Sequence, residues 1–193
     1  MVRPREFDKE KALEAALRVF WDKGYEAASL TDLTQAMGIQ RPSLYAAFGD
    51  KKELFEAALR QYTKQHAAYV RGKLQSGPSV KEAIRRFLAD VIEEGYGSRP
   101  PKGCFCINTM VELAPHDERF EVLTREHQMY LAAIFQEAVE CGQRSGELGA
   151  GTDARALAQA LVISLIGLTV MTKSRPERAF MDRSADMLLS LLK

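Results

Sequence analysis

The chain has 193 residues, 46% hydrophobic and 27% charged, which is enough material for a full core and excludes disordered or collagen-like sequence. Its 27 basic and 26 acidic residues leave a net charge of +1, so a protein coated in positive charge is excluded and any nucleic-acid footprint is local. Three cysteines are too few for a disulfide scaffold, and the charged start MVRPREFDKEK lacks the apolar core of a secretory signal, so a cytoplasmic protein is expected.

Apolar residues recur at spacings of three and four along the whole chain, and strand-like alternation is nowhere sustained. The first run, Leu13, Ala16, Leu17 and Phe20, predicts a helix over 8–23 that stops at Gly24. Ser29, with Asp32 three residues on, starts a helix over 30–37. Another follows over 41–47, and Asp50 caps a long one over 51–74. Further helices are expected over 80–95, 104–114, 118–145, 153–172 and 177–192, broken at Gly77-Pro78-Ser79, at SRPPKG (98–103) and at 149–152. The expectation is an all-α protein with an N-terminal domain over 6–66 and a helical domain over 67–193.

The second and third helices are joined by Met37-Gly38-Ile39-Gln40. A glycine in a tight turn between short helices is what a helix-turn-helix requires. Leu33, Met37, Ile39, Leu44 and Phe48 then point inward against Leu17 and Phe20. Gln40, Arg41 and Ser43 are left at the outer N-terminal end of the third helix, where partial positive charge meets a groove. Spacing alone is equally compatible with a helical cap that has a solvated face. Residues 1–60 hold ten basic and ten acidic residues, yet Leu33–Gly49 contains Arg41 and no acid, as a surface meeting phosphates should.

The run from Ala16 to Phe55 resembles the N-terminal domain of the TetR family of bacterial transcriptional regulators. The resemblance rests on Phe20, Gly24 and Tyr25, on Ser29 and Thr31, on Gly38 and Ile39, and on Leu44, Tyr45, Phe48, Lys51 and Leu54. GCFCINTMVEL is similar to a segment of one branch of that family. The family implies a homodimeric repressor that binds a palindromic operator in double-stranded DNA and releases it when a small molecule enters the C-terminal domain. Carried over residue by residue, Thr31, Tyr45 and Lys51 would contact phosphate, and Gln40, Arg41 and Ser43 would lie at the groove. Ala46 and Ala47 stand where many members have aromatic residues or histidine. Arg3 and Arg5 could form an arm reaching a minor groove or equally belong to a disordered terminus.

The resemblance also implies a hollow among the later helices, with Phe87, Cys104, Phe105, Asn108, Met110, Phe135 and Ile163 as candidate lining and Asn108 as its polar anchor. The 17 uncharged residues between Arg155 and Lys173 are shorter than a usual membrane span and read as a helix buried on most sides. With the final helix they predict a dimer through Leu161, Ser164, Gly167, Leu168, Met171, Leu188 and Leu191, Gly167 permitting close approach. Cys104 and Cys106 read first as packing residues; the alternative is that Cys104, beside Lys102 at a helix start, has a lowered pKa and reacts with oxidants or electrophiles. His66, His116 and His127 are scattered, so neither metal nor other cofactor is expected. No catalytic constellation is visible, and a helical adaptor would have no reason to keep Arg41, Tyr45 and Lys51.

Overall fold

The computed structural model describes residues 7–192, and all nine regular elements among them are helices. These are α1 (Lys9–Lys23), α2 (Leu30–Met37), α3 (Arg41–Phe48), α4 (Lys51–Gln75), α5 (Val80–Gly97), α6 (Phe105–Glu112), α7 (Glu118–Arg144), α8 (Ala154–Met171) and α9 (Arg178–Leu189). The all-α expectation holds. The last helix, expected to residue 192, ends at Leu189. Arg3 and Arg5 lie outside the described residues.

Local chemistry sets most of the starts. The Asp8 carboxylate accepts from the amides of Glu10 and Lys11. Ser29 with Asp32, and Asp50 with Glu53, form reciprocal capping boxes. Ser79, Asp117 and Asp153 cap α5, α7 and α8. The Lys23 ammonium, 2.6 Å from Asp32, and the Ser29 hydroxyl hold that carboxyl well below the usual carboxylate range.

Two hydrophobic cores form. One gathers Phe20, Leu33, Leu44, Phe55 and Leu59 from α1–α4, and it also takes in Phe105, Cys106 and Leu113 from α6 and its end, with Phe120 and Leu123 from α7. The other joins the second half of α4, from Ala67, to α5, α7, α8 and α9. The sixth helix therefore packs into the core of the N-terminal head, although it follows the expected boundary at 66.

The apolar α8 has two faces. Leu157, Leu161, Val162, Leu165 and Leu168 are buried in the second core. On the opposite side Ile163 is 70% exposed, Gly167 opens to empty space, and Val170 and Met171 are exposed. Phe180, Met187 and Leu191 are exposed on α9 and its end. Leu161 and Leu168, expected at the outer interface, thus belong to the inner face, and Ile163, expected in the hollow, belongs to the outer one. Leu188 is half-buried against the core, and Ser164 half-buried at the edge of the outer face.

The approach of α5 to α8 depends on Gly95. A Cβ there would sit 2.4 Å from Thr172 Cβ and 2.5 Å from its Cγ2. Gly95→Ala is expected to lose about 1–3 kcal/mol of stability in urea unfolding, the usual cost of overpacking a tight contact; unchanged stability would mean the two helices are not in contact there.

Candidate nucleic-acid interface and ligand cavity

The turn between α2 and α3 is made at Gly38, whose φ of 66° and ψ of 28° lie in the left-handed region. The amides of Gly38 and Ile39 close the turn onto the carbonyls of Gln35 and Thr34. Helix α3 follows the N-cap residue Gln40, which makes no side-chain cap, and has Pro42 in its first turn. The Gln40 side chain is thus not used to cap the helix that it precedes.

Around this start, Thr31, Gln40, Arg41 and Tyr45 are exposed, and Ser43 is half-buried. Arg41 Nη2 donates to Thr31 Oγ1 at 3.0 Å, which brings two of the expected contacts from two helices onto one surface. The Lys51 ammonium lies 4.5 Å from the centre of the Tyr25 ring and donates to the Glu26 carbonyl at 3.4 Å. Its stem is held, and its charge sits at the N-terminal end of α4.

Behind the head lies a cavity of about 670 Å³. Its wall takes residues from α1, α4, α5, α6, α7, α8 and the loop before α6. Leu17 and Trp21 of the head line one end, and Trp21 Nε1 donates to the Gly103 carbonyl at 3.1 Å. Apolar wall comes from Phe87, Val91, Leu131 and Leu165. Polar side chains in the wall include Tyr62, His66, Cys104, His127, Gln128, Thr169 and Thr172. His66 Nδ1 and His127 Nε2 are 3.0 Å apart, so α4 and α7 are joined by an imidazole pair. Tyr62 stacks on His66 at 5.4 Å, with 11° between the rings, and its hydroxyl donates to Cys104 Sγ at 3.2 Å.

The family model for bacterial regulatory proteins of the tetR family matches residues 12–58, and the tetracyclin repressor-like C-terminal domain matches residues 80–188. The chain belongs to the TetR family. Among its relatives is an uncharacterized HTH-type transcriptional regulator, YezE of Bacillus subtilis, 36% identical over 197 residues with the whole of both chains covered. The HTH-type transcriptional repressor ComR of Escherichia coli is 31% identical over 172 residues, covering 89% of this chain and 82% of that one. The TetR family regulator CifR, solved as a cysteine mutant with 26-bp double-strand operator DNA, superposes with a TM-score of 0.86 at 36% identity, covering 99% of this chain and 100% of that one.

In this TetR-family chain the cavity differs from the expected hollow. Phe87 and Cys104 line it. Phe105 is buried among Trp21, Phe55 and Tyr62, and Phe135 packs in the second core. Met110 lies outside the cavity wall and contacts Gln128 at 2.6 Å. Asn108 also lies outside, donating to the Lys102 carbonyl at 2.9 Å and accepting from Lys173 at 2.5 Å. One residue on an α-helix turns the side chain by about 100°, so Ile107 can face the cavity while Asn108 faces Lys173. The alternative of a low-pKa thiol at Cys104 is not supported. Burial pushes the Cys104 thiol up, and the Lys102 ammonium is engaged by Asp22 at 2.6 Å. Burial likewise raises Cys106. Among the described residues no group of three or more His, Cys, Asp or Glu is placed to hold a metal.

The histidine pair is the feature that sequence reasoning missed. Burial pushes both imidazoles down to about 4. Unfolded histidines titrate near 6.5, so as pH falls from about 6.5 towards 4 the unfolded chain takes up protons that the native pair refuses. The native state is destabilised through that window, by at most about 1.4 kcal/mol per pH unit for each histidine. Thermal unfolding between pH 7 and 5 should therefore show a steeper loss for wild type than for a His66→Phe/His127→Leu double variant. Equal slopes would mean that the pair is solvated.

Proposed function

We propose that this TetR-family regulator is a homodimeric repressor that binds a palindromic operator through the N-terminal end of α3 and lets go when a small molecule fills the cavity behind α4. The observation that carries this is the outer surface at the start of α3, where the stretch Leu33–Gly49 holds Arg41 and no acid and Asp32 of α2 is paired with Lys23. There Thr31, Gln40, Arg41 and Tyr45 are exposed together around an uncapped helix start. Such a start offers amides and side chains to phosphates and base edges. The operator complex of CifR and the repressor named ComR support the same reading.

The dimer is supported by the outer faces of α8 and α9. Ile163, Gly167, Val170 and Met171 follow one another at helical spacing, as do Phe180, Met187 and Leu191. A stripe of that size is unfavourable in water, and self-pairing about a two-fold axis covers it as a four-helix bundle. Release is supported by the shared wall: the cavity is bounded by α1 of the head as well as by α4 and α6. A ligand that fits one arrangement of these helices better than another shifts the spacing of the two heads.

Operator binding is tested by fluorescence anisotropy on a duplex selected from random-sequence DNA by the wild-type protein. Arg41→Ala is expected to cost about 1–3 kcal/mol on the selected duplex and little on random DNA, as for a base contact. Lys51→Ala is expected to weaken both equally and to lower the salt slope by about 1 per subunit. Equal losses for Arg41→Ala on both duplexes would make it a phosphate contact, and no selectable duplex would overturn operator binding. For the dimer, Gly167→Glu is expected to give monomers or aggregates in light scattering, because it places a charge in the pairing face. A stable Gly167→Glu dimer would locate the interface elsewhere.

A further inference from the structure

The cavity has a fixed polar anchor in a mainly apolar wall. His66 is held from two sides, by the Tyr62 ring stacked on its face and by the 3.0 Å contact of its Nδ1 with His127 Nε2. Its remaining nitrogen, Nε2, has no protein partner, yet no fully buried side-chain nitrogen or oxygen lacks one among the described residues. Nε2 is therefore not fully buried, and His66 is part of the cavity wall. A neutral imidazole pair shares one proton between its inner nitrogens. Nε2 accepts a hydrogen bond in one tautomer and donates one in the other. A hydroxyl oxygen suits both states and a carbonyl oxygen suits the second.

Charge narrows the ligand further. The one lysine in the wall, Lys102, is already paired with Asp22. The one carboxylate, Glu94, is on an exposed stretch of α5. The depth of the cavity thus offers no counter-ion, and carrying an ionised group into it costs desolvation that nothing offsets. The depressed basicity of both histidines opposes meeting an anion by protonation.

Resting on the reading of the cavity as the effector site, we propose that it takes an uncharged, mainly apolar molecule whose one hydroxyl or carbonyl oxygen hydrogen-bonds His66 Nε2. The cavity, at about 670 Å³, is of the size that encloses a small organic molecule.

Four molecules of the same shape test this by isothermal titration calorimetry at pH 7.5: 2-naphthalenemethanol, 2-ethylnaphthalene, 2-naphthoate and 2-naphthylmethylammonium. The alcohol should bind roughly 2–10-fold tighter than the hydrocarbon, the worth of one net hydrogen bond, and both charged molecules should bind more weakly than the hydrocarbon. His66→Phe keeps the ring stacked on Tyr62 and removes the nitrogen. It should bind the alcohol and the hydrocarbon alike, with operator affinity unchanged to confirm its fold. Tightest binding by the naphthoate or the ammonium, no binding by any of the four, or an alcohol preference that persists in His66→Phe would each overturn the proposal. Anisotropy with the selected duplex separates it from the release reading. Alcohol binding that leaves operator affinity unchanged supports this ligand class and removes release. An unbound alcohol with intact operator affinity removes the ligand class and leaves operator binding standing.

Discussion

The head and the body of this protein meet in one ring system centred on Phe55. Its side chain is fully buried and touches four other aromatic rings: Phe20 at 4.8 Å, Tyr25 at 5.2 Å, Phe105 at 5.2 Å and Phe120 at 5.3 Å. These rings come from α1, the turn after it, α6 and α7. Aromatic edge-to-face packing is orientation-dependent, so moving any one of those elements disturbs the others. The helix-turn-helix is consequently not a free knob on a linker. Its orientation is set by the same core that carries α6, and α6 borders the cavity.

Polar contacts reinforce that seam. The Glu112 carboxylate, at the end of α6, accepts from the amides of Tyr25 and Glu26 at 2.9 and 3.1 Å. These amides follow the end of α1 and would otherwise need water. Asp117 pairs with Lys52, and Arg119 bonds Glu56 at 2.9 Å. The pairs are partly exposed, and each is worth little alone. Their value is in geometry, since they fix the start of α7 against the start of α4, the helix that bears Lys51.

What was legible in the sequence follows from how local each signal is. Ser29 with Asp32, Asp50 with Glu53, and Gly38 act within four residues, and the helix starts and the turn could be read from them. The surface around Thr31, Arg41 and Tyr45 was legible because its order along the chain is also its order on two adjoining helices. In α8 the apolar residues run all round, so nothing in the pattern told the inner face of Leu161 and Leu168 from the outer face of Ile163. His66 and His127 are 61 residues apart and meet only because α4 packs on α7, so no spacing rule could pair them. The alternative of a reactive Cys104 rested on sequence neighbourhood alone: Lys102 is its neighbour along the chain, while Asp22, which engages that lysine, comes from α1.

The chain has one tryptophan, and it stands where the head meets the cavity. Trp21 is anchored through its ring nitrogen to the Gly103 carbonyl, and Tyr62 stands edge-on at 5.1 Å. Indole emission depends on the polarity around the ring and on that hydrogen bond. The molecule therefore carries a built-in optical reporter at its central joint. Its intrinsic fluorescence is placed to report a change in the cavity or in the attitude of α1 in the unlabelled protein, with no second indole to blur the signal.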